Sequence, residues 1–230
     1  MLFQLLRGNF DFASIVAEIL AVLLIVFLIL PFHEWAHAFT ASLLGDKAIK
    51  YRGRLSLNPL SHIDPMGALC LLLFGFGWAK PVPVDPRNFK NPKVGMAVTA
   101  IMGPIANLVA AFAGLLIYNA LFYLAFGFLI TDIGGFVRTF LSFYISCNIG
   151  LAVFNLIPIP PLDGSKVLFS CLSDKAYLWL MRYERYGMAL LMLMLLTGVL
   201  DTPLEFLRDG LLNGLEAIGT WPVQLLLALR

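Results

Sequence analysis

Between Val94 and Thr131 the chain carries no charged side chain. A run of that length is too long for one membrane crossing and too short for two crossings and a turn. It predicts one crossing followed by an apolar, interfacial extension around Leu121–Ile130. The whole composition agrees with a bilayer as solvent: 60% of residues are hydrophobic and 13% charged, with a mean hydropathy of +0.86. An ordinary soluble domain is far less apolar, so the chain reads as an integral membrane protein. The formal charge of +2 gives no basis for nucleic-acid binding.

Further charge-poor runs lie at about Ala13–Leu44, Phe136–Ile157 and Tyr186–Leu200, while Leu211–Leu229 contains Glu216 and suits either a last span or a helix on the surface. The expected fold is therefore an all-α polytopic membrane protein with about 4–5 transmembrane helices. Arg7 precedes an apolar stretch as in a signal peptide, but that stretch runs straight into His33, so the first span is expected to be retained. Cys70, Cys147 and Cys171 show no paired spacing and read as small apolar packers.

The basic residues orient the spans. Lys47, Lys50, Arg52, Arg54, Lys80, Arg87, Lys90 and Lys93 flank one segment, and Lys166, Lys175, Arg182 and Arg185 follow Pro158. The positive-inside rule then places the amino terminus outside and the end of the first span on the cytoplasmic side of a cell (plasma) membrane. Met66–Ala79, with basic residues before and after it, would reach only about 21 Å as a helix against a hydrocarbon core of about 30 Å. It is expected to dip in and return. Tyr51–Leu57 before it alternates like a strand, and Lys80-Pro81-Val82-Pro83-Val84 after it must be extended, because proline excludes helix there.

The first span carries His33-Glu34-Trp35-Ala36-His37 toward its cytoplasmic end. Histidines at i and i+4 share a helical face and reach one metal ion, and the carboxylate beside them can take a proton from an attacking water. Three ionisable groups in an apolar segment must face a partner or a wet cavity. A second constellation closes the third long run: Asn155-Leu156-Ile157-Pro158-Ile159-Pro160-Pro161-Leu162-Asp163-Gly164. Its prolines break the helix, Gly164 permits a turn, and Asp163 is presented from irregular backbone at about the depth of His33 and His37. Alone, Pro-Leu-Asp-Gly would be an ordinary turn. Two histidines and one carboxylate, however, leave a fourth position for water, the arrangement of a catalytic zinc site. His62 is read as a loop residue, and Asp64 and Asp85 as turn stabilisers beside prolines.

These two patterns, H-E-x-x-H and N-x-x-P-x-x-x-L-D-G, resemble those of the site-2 protease family of intramembrane zinc metalloproteases. Gly103-Pro104-Ile105-Ala106-Asn107 is similar to the family's small-residue motif, and Gly53–Asp64 with Phe76–Val84 resembles its short branch, which lacks an inserted peptide-binding or regulatory domain. The resemblance covers about Pro31–Asp174. It implies a single membrane-embedded metalloprotease domain over 1–230, with its catalytic core at about 31–174 and helices at about 186–230. It also implies one zinc ion per chain held by His33, His37 and Asp163, Glu34 as general base and proton donor, and single-span membrane proteins or peptides as substrates. Asn107 and Asn155 are candidates for binding substrate backbone or the developing oxyanion, or else for interhelical hydrogen bonds. The edge of Arg54, Leu55, Ser56 and Leu57 is a candidate for pairing with an unwound substrate. Two rival functions remain: a metal or ion transporter, since buried His and Asp mark ion pathways, and an inactive scaffold. A carrier has no need of Glu34, and a dead relative would have lost it. The oligomeric state is left open.

Overall fold

The computed structural model describes residues 20, 23–74 and 77–228. They are mostly helical, with no β-strand among the described residues, and fall into two compact units, Met1–Gly103 and Pro104–Arg230. The expectation of an all-α membrane protein holds. Among the described residues two helices, Pro92–Leu124 and Asp132–Asn155, are long and apolar enough to cross a membrane, and a helix pair bent by 88° between Leu196 and Asp201 would make a third. The run expected at Ala13–Leu44 lies partly outside the described residues.

In the first unit a π-helical turn, Ile25–Ile29, leads into α1, Leu30–Leu44. Pro31, in the first turn of α1, has no N–H to give to the carbonyl four residues back, and a widened turn is one way for a helix to absorb that loss. After α1 comes a short helix, α2 (Ala48–Tyr51), then the helix α3 (Pro65–Phe74). Ala38, Ala41, Ile49 and Phe89 are buried together, with Leu55, Val82, Val84 and Met96 packed against them. Buried Asp46, just past α1, ties down the segment that follows the extended run. Its Oδ2 accepts the Asp85 N–H at 2.9 Å and its Oδ1 accepts from Asn88 Nδ2 at 2.8 Å. The Arg87 guanidinium and N–H hold the pKa of the half-buried Asp85 carboxyl down at about 2, so the turn keeps its charge into mildly acidic solution.

The strand expected at Tyr51–Leu57 does not form. Tyr51 ends α2, Gly53 turns the chain with φ of 68°, and Arg54 N–H bonds back to Ile49 O. Asn58 then bonds Leu60 N–H as a turn residue before Pro59, and His62 Nε2–H donates to Ser56 O at 2.7 Å. Local side-chain bonds take up the backbone groups that a ladder would have needed. Arg54, Leu55, Ser56 and Leu57 therefore present no strand edge: Leu55 packs into the core and the Ser56 carbonyl is occupied. Ile63 and Ala79 form an antiparallel bridge and Lys80 N–H donates to His62 O at 2.8 Å, so the two ends of 66–79 are held side by side.

In the second unit α4, the helix Pro92–Leu124 that begins in the first unit, is followed by the single turn α5 (Phe126–Leu129) and by α6 (Asp132–Asn155). The extension expected at Leu121–Ile130 is thus a helix end, a break at Ala125 and one further turn. Ala111, Leu115, Ile145, Ile149 and Val153 form a buried cluster. α7 (Asp163–Ser170), α8 (Asp174–Leu196) and α9 (Asp201–Ala228) complete the order. Neither α8 nor α9 alone meets the length and apolarity of a span. Gly198, with φ of 69°, turns the chain between them.

Candidate metal centre and catalytic site

α1 is buried over most of its surface, and His33 and His37, at one-turn spacing, share one side of it with Thr40 and Ala41. Both imidazoles are buried, at 4% and 7% exposure. Their Nε2 atoms stand 3.0 Å apart and the rings meet edge to face with centroids 4.6 Å apart. His37 Nδ1 lies 2.8 Å from the Thr99 carbonyl. A carbonyl only accepts, so Nδ1 carries the proton and Nε2 keeps its lone pair, the state in which an imidazole binds metal.

Thr99 and Gly103 are one turn apart on α4, and Gly103 explains how the pair is accommodated. A Cβ added there would lie 2.4 Å from His37 Cε1 and Nε2 and 2.6 Å from His33 Cε1. The backbone of α4 thus approaches the imidazoles as closely as a residue without a side chain allows. Sequence reading picked out Gly103 only as part of a small-residue motif.

Glu34, half-buried between the histidines in sequence, accepts the Val82 N–H on Oε2 at 3.1 Å. No sequence signal linked these two positions.

In the second unit Asp163 is buried, but it is not on irregular backbone as expected. It is the first residue of α7, after the irregular stretch from Leu156 to Leu162, where the positive end of the helix dipole favours a carboxylate. Gly164 is needed for close approach rather than for a turn, since a Cβ there would meet the Leu156 carbonyl oxygen at 2.1 Å. Lys166 Nζ stands 3.4 Å from Asp163 Oδ1, a partner not foreseen from sequence. Asn155 ends α6 with its amide donated to Leu151 O at 3.0 Å, a bond within its own helix, and Asn107 is fully buried on α4. His62 is a loop residue as expected, yet it is buried and joins no cluster of metal-ligating side chains among the described residues.

Two buried imidazoles one helical turn apart, with a carboxylate between them in sequence, are the donor pattern of a zinc metallopeptidase. The sequence profile of peptidase family M50, the site-2 protease family, matches residues 21–198, and the chain belongs to that family. Over 201 residues it is 36% identical to the Bacillus subtilis (strain 168) protein named "Putative zinc metalloprotease YwhC", covering 85% of this chain and 91% of that one. It is 30% identical over 174 residues to "Putative zinc metalloprotease Rip2" of Mycolicibacterium smegmatis, covering 74% of this chain and 64% of the relative. No solved structure matches the chain.

Proposed function

We propose that this chain is a zinc-dependent intramembrane endopeptidase, with His33, His37 and Asp163 holding one zinc ion and Glu34 acting as general base. The substrates on this reading are single-span membrane proteins or membrane peptides, cut within or next to the bilayer. The observation that carries it is the His33–His37 pair. Two nitrogens bound to one tetrahedral zinc at about 2.05 Å each are about 3.3 Å apart, and the 3.0 Å between the Nε2 atoms is close to that spacing. The donor set, two imidazoles and one carboxylate, suits zinc and leaves a position for water.

When bound, zinc brings the pKa of water toward neutrality and polarises the scissile carbonyl. The protein's part is to orient and to move protons. The Thr99 carbonyl fixes the His37 tautomer. Glu34 takes a proton from the attacking water and returns it to the leaving amine, while the amides of Asn107 and Asn155 receive substrate backbone or the oxyanion. Asn155 must first release the Leu151 carbonyl. The clustering of basic residues supports an outward amino terminus and a site toward the cytoplasmic face of the plasma membrane. A transporter would use the same histidines, but Glu34 beside them favours hydrolysis.

Zinc measured on purified protein tests the ligand set. Wild type is expected to hold one zinc per chain, Asp163→Ala to lose most of it and His62→Ala to keep it. Stoichiometric zinc in Asp163→Ala protein would remove Asp163 from the metal's ligands.

A further inference from the structure

The extended run Lys80-Pro81-Val82-Pro83-Val84 is built to present one backbone donor. Pro81 and Pro83 have no N–H, and each holds the residue before it in the extended region. The three remaining N–H groups are all engaged: Lys80 with His62 O at 2.8 Å, Val84 with Val82 O at 3.0 Å, and Val82 with Glu34 Oε2 at 3.1 Å. This run has no backbone donor left over for an unwound substrate.

The run is also anchored at both ends. The Ile63–Ala79 bridge fixes its start, and buried Asp46 fixes the Asp85–Asn88 turn beyond its end. Between the anchors Val82 and Val84 pack against the core beside α1. Several independent contacts thus converge on keeping one N–H against the carboxylate of Glu34.

We infer that the Val82 backbone N–H is a positioning group for Glu34, holding one carboxylate oxygen so that the other is directed at the attacking water. This rests on the reading of Glu34 as general base. A carboxylate on a flexible side chain samples many orientations, and a hydrogen bond to one oxygen fixes both its plane and its reach. Val82 acts through Glu34, so the expected effect falls on turnover rather than on binding.

The test removes this N–H alone. Val82→Pro suits the extended backbone already imposed by Pro83 and keeps an apolar side chain. An ester in place of the Val82 amide, introduced as the α-hydroxy acid, deletes the same N–H with the valine side chain intact, in case the proline variant does not fold. Cleavage of a single-span membrane peptide in detergent is followed, with kcat normalised to bound zinc. Both variants are expected to lose about 10- to 100-fold in kcat with KM and zinc unchanged. Val82→Ala, which keeps the N–H, is expected to stay at least about tenfold above them. An ester in place of the Val84 amide, which removes a donor that meets only the Val82 carbonyl and keeps the packed side chain, is the control expected to remain within about twofold of wild type. Unchanged or higher kcat in the Val82 ester variant, or equal losses for Val82→Ala and the Val82 ester, would overturn the inference. Glu34→Gln in the same assay separates the two levels: wild-type turnover there sinks the general-base reading itself, whereas its loss beside an unaffected Val82 ester variant sinks only the role of Val82.

Discussion

Glu34→Gln protein is expected to keep its zinc and its fold and to lose about 10²–10⁴-fold in peptide-bond hydrolysis. The amide has the shape of the carboxylate and can still accept the Val82 N–H that now binds Oε2, so the surroundings of the side chain are preserved. What it lacks is basicity. It cannot take a proton from water, and it has none to give to the departing amine. Zinc content is expected at wild-type level because Glu34 is outside the proposed ligand set. A transporter would be unaffected by this change in carrying its cargo, and a scaffold in binding its partner. Turnover of a membrane peptide panel, with zinc determined on the same samples, distinguishes the three.

Gly103→Ala is expected to weaken zinc binding by about 10- to 100-fold, although residue 103 is no ligand. The added methyl would sit 2.4 Å from His37 Nε2 and Cε1 and 2.6 Å from His33 Cε1, far inside van der Waals contact. One of three things must yield. α4 can withdraw, which stretches the 2.8 Å contact between His37 Nδ1 and the Thr99 carbonyl one turn away. Otherwise His33 or His37 must rotate, which separates nitrogens now 3.0 Å apart. Every route disturbs the pair, and neither ring has slack, because both are buried. Competition with a chelator of known zinc affinity reads the effect; wild-type affinity would mean that the two rings adapt at no cost to the site.

The sequence motifs located the imidazole pair because a helix fixes i and i+4 neighbours on one face wherever it lies. The same locality explains where reading along the chain stops. Helix ends were displaced at α6, expected from Phe136 but starting at Asp132, because Thr131 caps the turn through Gly134 N–H and charge or glycine in a first turn does not end a helix. α8 begins at Asp174 rather than near Tyr186 for a related reason: lysine and arginine mark where a helix leaves the apolar core, not where its hydrogen bonding stops. The alternation of Tyr51–Leu57 suggested a strand, but alternation without a partner yields to turn chemistry, here that of Gly53 and of Asn58-Pro59. Contacts between distant segments were illegible altogether. Val82 and Glu34 lie 48 positions apart, and Asp46 reaches Asp85 and Asn88 across 39 and 42. Nothing in the local spacing of these residues encodes such meetings.

Peptide-bond hydrolysis that depends on one zinc ion per chain is the central proposal, and a zinc titration of proteolysis tests it most directly. The purified protein is stripped of metal with a chelator, zinc is returned in steps, and bound zinc and cleavage of a single-span membrane peptide are measured on each sample. Activity is expected to vanish in the stripped protein and to rise in proportion to bound zinc, reaching its plateau at one equivalent. Full proteolysis by protein without zinc, or a zinc-saturated protein that cleaves no membrane peptide in the panel, would contradict it.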